Sequence, residues 1–235
     1  MKENWLAIAV GIYLAGMILY GHYKGFIKLS VSAVALVLTL AVVHTASPYV
    51  SDFLKGNTTI CEAFESSMQK AAGLEDGPGA AEPSQQRLVI EGMDFPEQLK
   101  TALLENNNSE VYEILGVETF TQYVSSYLAN AIINIIAFLL AFVVVFAAIR
   151  IVTVWLDLVA RLPVLSGTNK IAGALLGGAE GLLFFWVICL FITAFSGTDI
   201  GRSLIHQIED STWLSFIYNH NLLGDIVMNV VKSLI

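Results

Sequence analysis

Long apolar segments alternate with polar ones along the chain, and four of the apolar segments are long enough to cross a membrane. A transmembrane helix needs roughly 17–25 predominantly apolar residues. The first two segments extend from Trp5 to Tyr20 and from Phe26 to Val43, the third from Ala131 to Ile149, and the fourth from Ile171 to Phe195. The pattern predicts an all-α polytopic membrane protein with four transmembrane helices.

The first segment could instead be a signal peptide, since it is short and lies near the N-terminus. Glu3 cancels the charge of Lys2, and the following YGHYKG contains no small-residue site for the peptidase. Trp5 and Tyr20 at its two ends are typical of the interfacial anchoring of a span. We therefore expect the first segment to be retained as a membrane span.

The polar segments divide the chain into four parts. Only GHYKG separates the first two spans, which predicts a transmembrane hairpin over residues 1–46; spans three and four form a second hairpin over residues 126–198. The remaining parts are an acidic loop over residues 47–125 and a tail over residues 199–235. The tail carries too many interrupting charges for a fifth span, so we expect an amphipathic helix lying against the outer face of the membrane.

The long loop combines two kinds of sequence. Its stretch GLEDGPGAAEPSQQ has the composition of a flexible, partly disordered segment. In DFPEQLKTALLEN and SEVYEILGVETFTQYVSSYL, by contrast, apolar residues recur at helical spacing. We expect two short amphipathic helices in that second half of the loop.

The positions of the basic residues predict the orientation in the membrane. Lys24 and Lys28 flank the first hairpin turn, and Arg150, Arg161 and Lys170 lie between spans three and four. The positive-inside rule places both connections in the cytoplasm. The two termini and the long loop then lie on the outer side of a bacterial cytoplasmic membrane.

The composition agrees with a membrane protein and restricts the class of partner. Hydrophobic residues make up 56% of the chain and charged residues 14%, against roughly 45–50% and about 25% in soluble domains. The formal net charge of −8 argues against nucleic acid, which recruits Lys and Arg. We expect the lipid bilayer and membrane or envelope proteins as partners, with a homo-oligomer as an alternative.

Glycines recur every four residues at the start of the fourth span, at Gly173, Gly177 and Gly181. In lipid, helices associate through close contact at small residues. The first span offers a matching stripe of small residues centred on Gly11. We predict that the two stripes pack together; a hinge or a pore lining is the alternative interpretation.

Three polar residues lie in or beside the spans: Asn134, Arg150 and Glu180. A carboxylate within a span is costly and is by default a hypothesis for a functional site. Glu180 lies about two turns past Lys170, so it either sits at the cytoplasmic boundary or has an intramembrane role in proton or ion handling. Arg150 is its natural charge partner, and we expect Asn134 to donate an interhelical hydrogen bond.

The sequence predicts neither catalysis nor a metal or cofactor site. The four histidines are scattered without an HExxH pattern, and no GxSxG or P-loop sequence occurs. Cys61 lies in a polar segment and Cys189 in an apolar one, so we do not expect a disulfide between them. We expect a protein that is not an enzyme and uses no cofactor.

Two stretches resemble signatures of the colicin V production protein family. In YGHYKGFIKLSVSAVALVLTLAVV the turn signature of that family falls on Gly21, Lys24, Gly25 and Phe26. The stretch LPVLSGTNKIAGALLGGAEGLL is similar to its second signature, which falls on Leu162, Pro163, Asn169, Gly173, Gly177 and Gly181. Members often begin the first span with an Asp, where this chain has Asn4 and Trp5.

The resemblance implies a four-helix inner-membrane protein linked to toxin production or export, or more broadly to the cell envelope. We therefore expect a packed bundle that assists such a process through partners. The alternative is a small oligomeric channel or transporter in which Glu180, Arg150 and Asn134 form a polar path. A third alternative, an accessory module for a protease, would require a partner bound to the outer loop.

Overall fold

The computed structural model describes residues 4–74, 82–155 and 167–233. Within these ranges the regular elements are eleven α-helices, and no strand occurs there. The helices are α1 (Trp5–Lys24), α2 (Phe26–Lys55), α3 (Thr58–Ala71), α4 (Pro83–Glu91), α5 (Glu97–Glu105), α6 (Ser109–Leu115), α7 (Phe120–Trp155), α8 (Gly167–Ala194), α9 (Asp199–Glu209), α10 (Thr212–Asn219) and α11 (Leu222–Ser233).

Four helices, α1, α2, α7 and α8, are long and apolar enough to cross a membrane. They confirm the predicted all-α fold with four spans. With 30 and 36 residues, α2 and α7 are longer than the roughly 20 residues that a span requires. The predicted spans underestimate these two helices, because hydropathy detects the segment in contact with lipid, whereas each helix continues where polar residues pack against protein.

The four long helices form the membrane bundle. In it α1 packs along α8 and α2 packs along α7, while α8 also contacts α2 and α7. Both pairs run antiparallel: Gly21 near the end of α1 meets Gly173 near the start of α8, and Ser51 near the end of α2 meets Asn134 of α7. The turn at Gly25 therefore lies at the same end of the bundle as the start of α8.

The seven shorter helices form the cap region, at the end of the bundle opposite the Gly25 turn. Two of them, α3 and α4, lie in the loop in addition to the two short helices that the sequence predicted there. In α3 the side chain of Met68 is buried, and α3 packs against α7. Residues 75–81, half of the stretch predicted to be flexible, lie outside the described residues, whereas its last four residues, 83–86, form the start of α4.

The tail differs from the single surface helix that its amphipathic pattern predicted. It folds into α9, α10 and α11, and α11 packs against α7 and α8. Leu214, Leu223 and Val227 of the tail are buried. The reason is that the start of α7 and the end of α8 extend into the cap region. Their apolar surfaces pack against the tail there and bury its apolar side chains.

The cap region has a core of large side chains. Tyr123 and Tyr127, in the first turns of α7, are almost fully buried beside Leu99 and Leu103 of α5. The Tyr123 hydroxyl donates a hydrogen bond to the Leu103 carbonyl over 2.7 Å, and its ring stacks on Tyr112 at a centroid distance of 4.8 Å. The first turns of α7 are thereby fixed in a protein environment.

Candidate functional site

The contact between α1 and α8 is made by backbone, because glycines face each other on both helices. A Cβ atom placed on Gly21 would lie 2.1 Å from the Gly173 carbonyl oxygen and 2.9 Å from the Gly177 Cα. One placed on Gly177 would lie 2.4 Å from the Met17 carbonyl oxygen. No side chain fits at these positions, so the two helices are in direct backbone contact.

The predicted partner stripe on α1 needs a correction. No heavy atom of the described chain lies within 4 Å of the position that a Cβ would take on Gly11. The glycine of α1 that meets α8 is Gly21, near the other end of the helix, whereas Gly181 of α8 faces the Met17 side chain. Spacing alone could not distinguish these registers, since Gly11 and Gly21 both lie on α1.

Gly25 and Asn169 hold the turn between α1 and α2 against the start of α8. Gly25 has φ 75° and ψ 158°, a conformation essentially restricted to glycine. A Cβ there would also lie 2.2 Å from Asn169 Nδ2. The Asn169 Oδ1 accepts a hydrogen bond from the Ile27 backbone N–H over 3.2 Å.

This hydrogen bond serves as an N-cap supplied by another helix. Gly25, at the N-cap position of α2, has no side chain to satisfy the free N–H groups of the first turn. Asn169 of α8 satisfies one of them. The two stretches singled out in the sequence, the turn at residues 21–26 and the glycine-led start of α8, therefore contact each other through Gly21, Gly25, Asn169 and Gly173.

The other residues of the two signatures lie apart from this contact. Lys24 is exposed, with its ammonium 5.5 Å from the centroid of the Tyr20 ring. Phe26 is exposed as well. Leu162 and Pro163 lie outside the described residues. The contact between the two stretches, called the junction below, thus consists of Gly21, Gly25, Asn169 and Gly173.

Glu180 lies inside the membrane bundle, one to two turns beyond the glycine contact. Its side chain is only 4% exposed. Ser32 of α2 forms a hydrogen bond with the Glu180 carboxyl group, and Arg150 of α7 places a positive charge near it. Arg150 Nη1 in turn donates a hydrogen bond to Ser32 Oγ over 3.4 Å. The predicted pair of Glu180 and Arg150 is thus linked through Ser32.

Tyr13 of α1, the remaining helix of the bundle, completes this polar group. Its hydroxyl donates a hydrogen bond to the Gly181 carbonyl over 3.3 Å, and it faces Glu180. All four helices of the bundle therefore contribute a polar residue at one level. Tyr13 and Ser32 were not predicted; the only signal was that each is a polar side chain inside an apolar span.

Asn134 lies elsewhere, near the cap region. It accepts a hydrogen bond from Ser51 Oγ of α2 through its Oδ1, so the expected interhelical bond is present with Asn134 as acceptor. Within the described residues its Nδ2 has no partner. Asn134 precedes Arg150 by 16 residues of α7, a distance of about 24 Å along the helix.

A ladder of phenylalanine rings separates Asn134 from Arg150. Phe138, Phe142 and Phe146 follow at intervals of four residues, with centroid distances of 6.5 and 5.6 Å. The Arg150 guanidinium lies 5.9 Å from the centroid of Phe146. The structure does not place Asn134, Arg150 and Glu180 on one polar path through the bundle.

A second polar region lies in the cap, in a cleft of about 850 Å³ between α9 and the start of α1. His206 of α9 is flanked by Asp94, 3.3 Å from its Nε2, and Glu209, 3.8 Å from its Nδ1. Partial burial raises the pKa of Glu209, and the charges of His206 and Lys100 oppose this rise. Within the described part of the chain no group of His, Cys, Asp and Glu side chains could hold a metal ion.

These features define a class of protein: an all-α membrane protein with four spanning helices and a helical cap. Residues 111–221 match the family model described as Colicin V production protein. These residues are similar to that family, and the resemblance inferred from the motifs is confirmed over this part of the chain. The match contains α7, α8 and the second signature; the Gly21–Phe26 turn precedes it. No curated protein and no solved structure matches the chain.

Proposed function

We propose that the protein is a non-enzymatic membrane scaffold that assists toxin production or export, or another envelope process, through partners that bind its cap region. The observation that carries this proposal is the junction of Gly21, Gly25, Asn169 and Gly173, which joins the two hairpins by backbone contact. Such a junction favours a bundle that holds one shape and presents a surface.

The position of the phenylalanine ladder supports a scaffold over a channel. Phe138, Phe142 and Phe146 fill the part of α7 between Asn134 and Arg150. A path for ions needs polar groups or water along its length. A channel formed by one chain would have to pass this ladder, so an oligomer would be required to form the pore elsewhere.

The proposed orientation puts the cap region outside a bacterial cytoplasmic membrane. It follows from Lys24, Lys28, Arg150 and Lys170 at the junction end of the bundle. Cys61 tests this orientation, because it lies in the cap region and is partly exposed, whereas Cys189 is buried in the bundle. A membrane-impermeant maleimide should label wild type in intact spheroplasts and leave Cys61→Ser unlabelled. Labelling of Cys61 only after lysis would reverse the orientation.

Site-specific photo-crosslinking in native membranes tests the scaffold role. A photoreactive amino acid is placed at Leu88 or Ile200 of the cap region, which are 69% and 76% exposed, and as a matched control at Leu175 of α8, which is 74% exposed on the bundle surface. We expect one or more defined membrane or envelope proteins attached through the cap positions and absent from the Leu175 sample.

The crosslinking result distinguishes the scaffold from the channel. Adducts that contain only further copies of this chain, together with ion flux through proteoliposomes of the purified protein, would replace the scaffold proposal by the oligomeric channel. Glu180→Gln should leave the cap adducts unchanged if the protein is a scaffold. The same substitution should change the flux if the protein is a channel that uses this carboxyl group.

A further inference from the structure

Glu180 is buried in the bundle, beyond Lys170 along α8 and near Arg150 of α7. It follows Lys170 by ten residues of α8, or about 15 Å along the helix. The hydrocarbon core of a bilayer is about 30 Å thick. With Lys170 at the cytoplasmic surface, the carboxyl group therefore lies within the hydrocarbon region, enclosed by protein on all sides.

The hydrogen bonds of this carboxyl group are incomplete. Ser32 lies next to the carboxyl group, whereas its Oε1 is buried and has no hydrogen-bond partner among the described residues. A carboxylate accepts through both oxygens, and a buried acceptor without a donor loses the solvation that water gave it. Packing alone would be served better by an apolar side chain or by an amide with both groups paired.

Among the described residues, Arg150 places its positive charge near the carboxyl group but forms no ion pair with it. Arg150 is exposed on the surface of the bundle, where it contacts the Phe146 ring and donates to Ser32 Oγ. Ser32 can accept from Arg150 and donate to Glu180 at the same time, because a hydroxyl is both donor and acceptor. A series of polar contacts thus connects the enclosed carboxyl group to the surface of the bundle, from Glu180 through Ser32 to Arg150.

We propose that Glu180 is a proton-binding site, loaded from the cytoplasmic side, with Ser32 and Arg150 as positioning residues. On binding, a hydronium ion gives its proton to Oε1, which leaves a neutral carboxylic acid and a water molecule; on release, water takes the proton back. After release, the carboxylate keeps the bond from Ser32 and attracts the Arg150 guanidinium. This site is independent of the scaffold role.

The groups that face Glu180 set its response to pH. They are Tyr13 on α1 and Arg150 on α7, with the Ser32 hydroxyl on α2 as a neutral neighbour. Of these, Arg150 carries the positive charge. Removal of its charge favours the neutral acid over the carboxylate, so Arg150→Gln should bind the proton more tightly, by about tenfold.

Infrared difference spectroscopy of the full chain in liposomes tests this directly. When the pH is cycled between acid and alkali, we expect a carboxylic acid C=O band that titrates in wild type and is missing in Glu180→Gln. The midpoint should move to higher pH in Arg150→Gln and move less in Arg150→Lys. Glu97→Gln, which changes a side chain 65% exposed in the cap region, is the matched control and should retain the band.

A second measurement needs no substitution and covers the case in which Glu180→Gln does not fold. A hydrophobic carbodiimide attaches to protonated carboxyl groups, so mass spectrometry of wild type should find the adduct on Glu180 and less of it as the pH rises. Spectra of folded Glu180→Gln that equal those of wild type would overturn the proposal. So would a Glu180 peptide without adduct at every pH.

Discussion

The junction end of the bundle and the core of the cap region are stabilised in opposite ways. At the junction, Gly21, Gly173 and Gly177 bring two backbones into contact. In the cap region, Leu103, Tyr123 and other large side chains fill the interior. Lipid offers almost no hydrophobic force between helices, so close contact has to supply the attraction there, whereas water drives large apolar side chains together.

This difference predicts opposite tolerance to substitution. An added side chain should be the damaging change at the junction, because nothing can move aside except backbone. A removed side chain should be the damaging change in the cap region, because it leaves a cavity. The comparison can be tested by one substitution of each kind with its own control.

The largest effect should come from Gly21→Leu. Even the first atom of the new side chain would lie 2.1 Å from the Gly173 carbonyl oxygen, so α1 has to separate from α8. We expect a loss of about 5 kcal/mol or more, above the usual cost of overpacking, because the obstacle is backbone. The measurement is thermal unfolding in detergent, followed by size-exclusion chromatography.

Gly16→Leu is the control for this prediction. It lies on the same helix, and no described heavy atom is within 4 Å of its Cβ position. A leucine there should face lipid and leave the melting temperature unchanged or slightly higher. Equal losses in both variants would show that α1 tolerates no leucine at either glycine, and the backbone contact would no longer explain Gly21.

Leu103→Ala should have the next largest effect. Leu103 is 0% exposed in the cap core, and removal of a buried leucine side chain costs about 3 kcal/mol through lost burial and a cavity. Leu88→Ala is the control, since Leu88 is on the surface of α4. Chemical unfolding followed by circular dichroism would measure both. A Leu103 variant as stable as the Leu88 variant would mean that the cap core is not closely packed.

The sequence was sufficient for the spans but not for the register between them. Hydropathy located four helices, and the spacing of Gly173, Gly177 and Gly181 predicted which face of α8 packs. The sequence could not show that Gly21 and not Gly11 contacts α8, because this register depends on the turn at Gly25 and on the hydrogen bond that Asn169 accepts. Both are set by contacts between segments more than 140 residues apart.

The polar group around Glu180 shows the same limit. Glu180 and Arg150 stand out in the sequence because charges are rare in spans. Ser32 does not, since serine inside a transmembrane helix commonly bonds to its own backbone. Its role appears only when α2, α7 and α8 are packed, as does the phenylalanine ladder that separates Arg150 from Asn134.

A smaller effect is expected for Asn169→Ala at the junction. It removes the acceptor for the Ile27 N–H at the start of α2, which is comparable to loss of an N-cap and should cost about 1 kcal/mol. Asn169→Asp keeps the acceptor oxygen and should recover most of the loss. Melting temperatures of the two variants in the same detergent provide the measurement. If both lose stability equally, the Asn169 amide acts through some other contact.

The smallest effect is expected in the cap region, where water screens charges. The pKa of Glu209 is raised above its ordinary value of 4.5, chiefly by partial burial. The folded state therefore holds the proton more tightly than the unfolded state, so this contribution to stability is present below pH 4.5 and is lost as the pH rises through the folded pKa.

Glu209→Gln cannot ionise and should escape that loss. Because the side chain is 44% exposed, solvent limits the gain to about 0.5 kcal/mol, or about 1 °C in melting temperature above the folded pKa, with no gain in acid. Glu113→Gln, in which an exposed carboxylate of α6 is removed, measures the effect of one negative charge alone. Melting curves across pH that show the same gain for both variants would attribute it to net charge, and burial of Glu209 would then play no part in the stability of the cap.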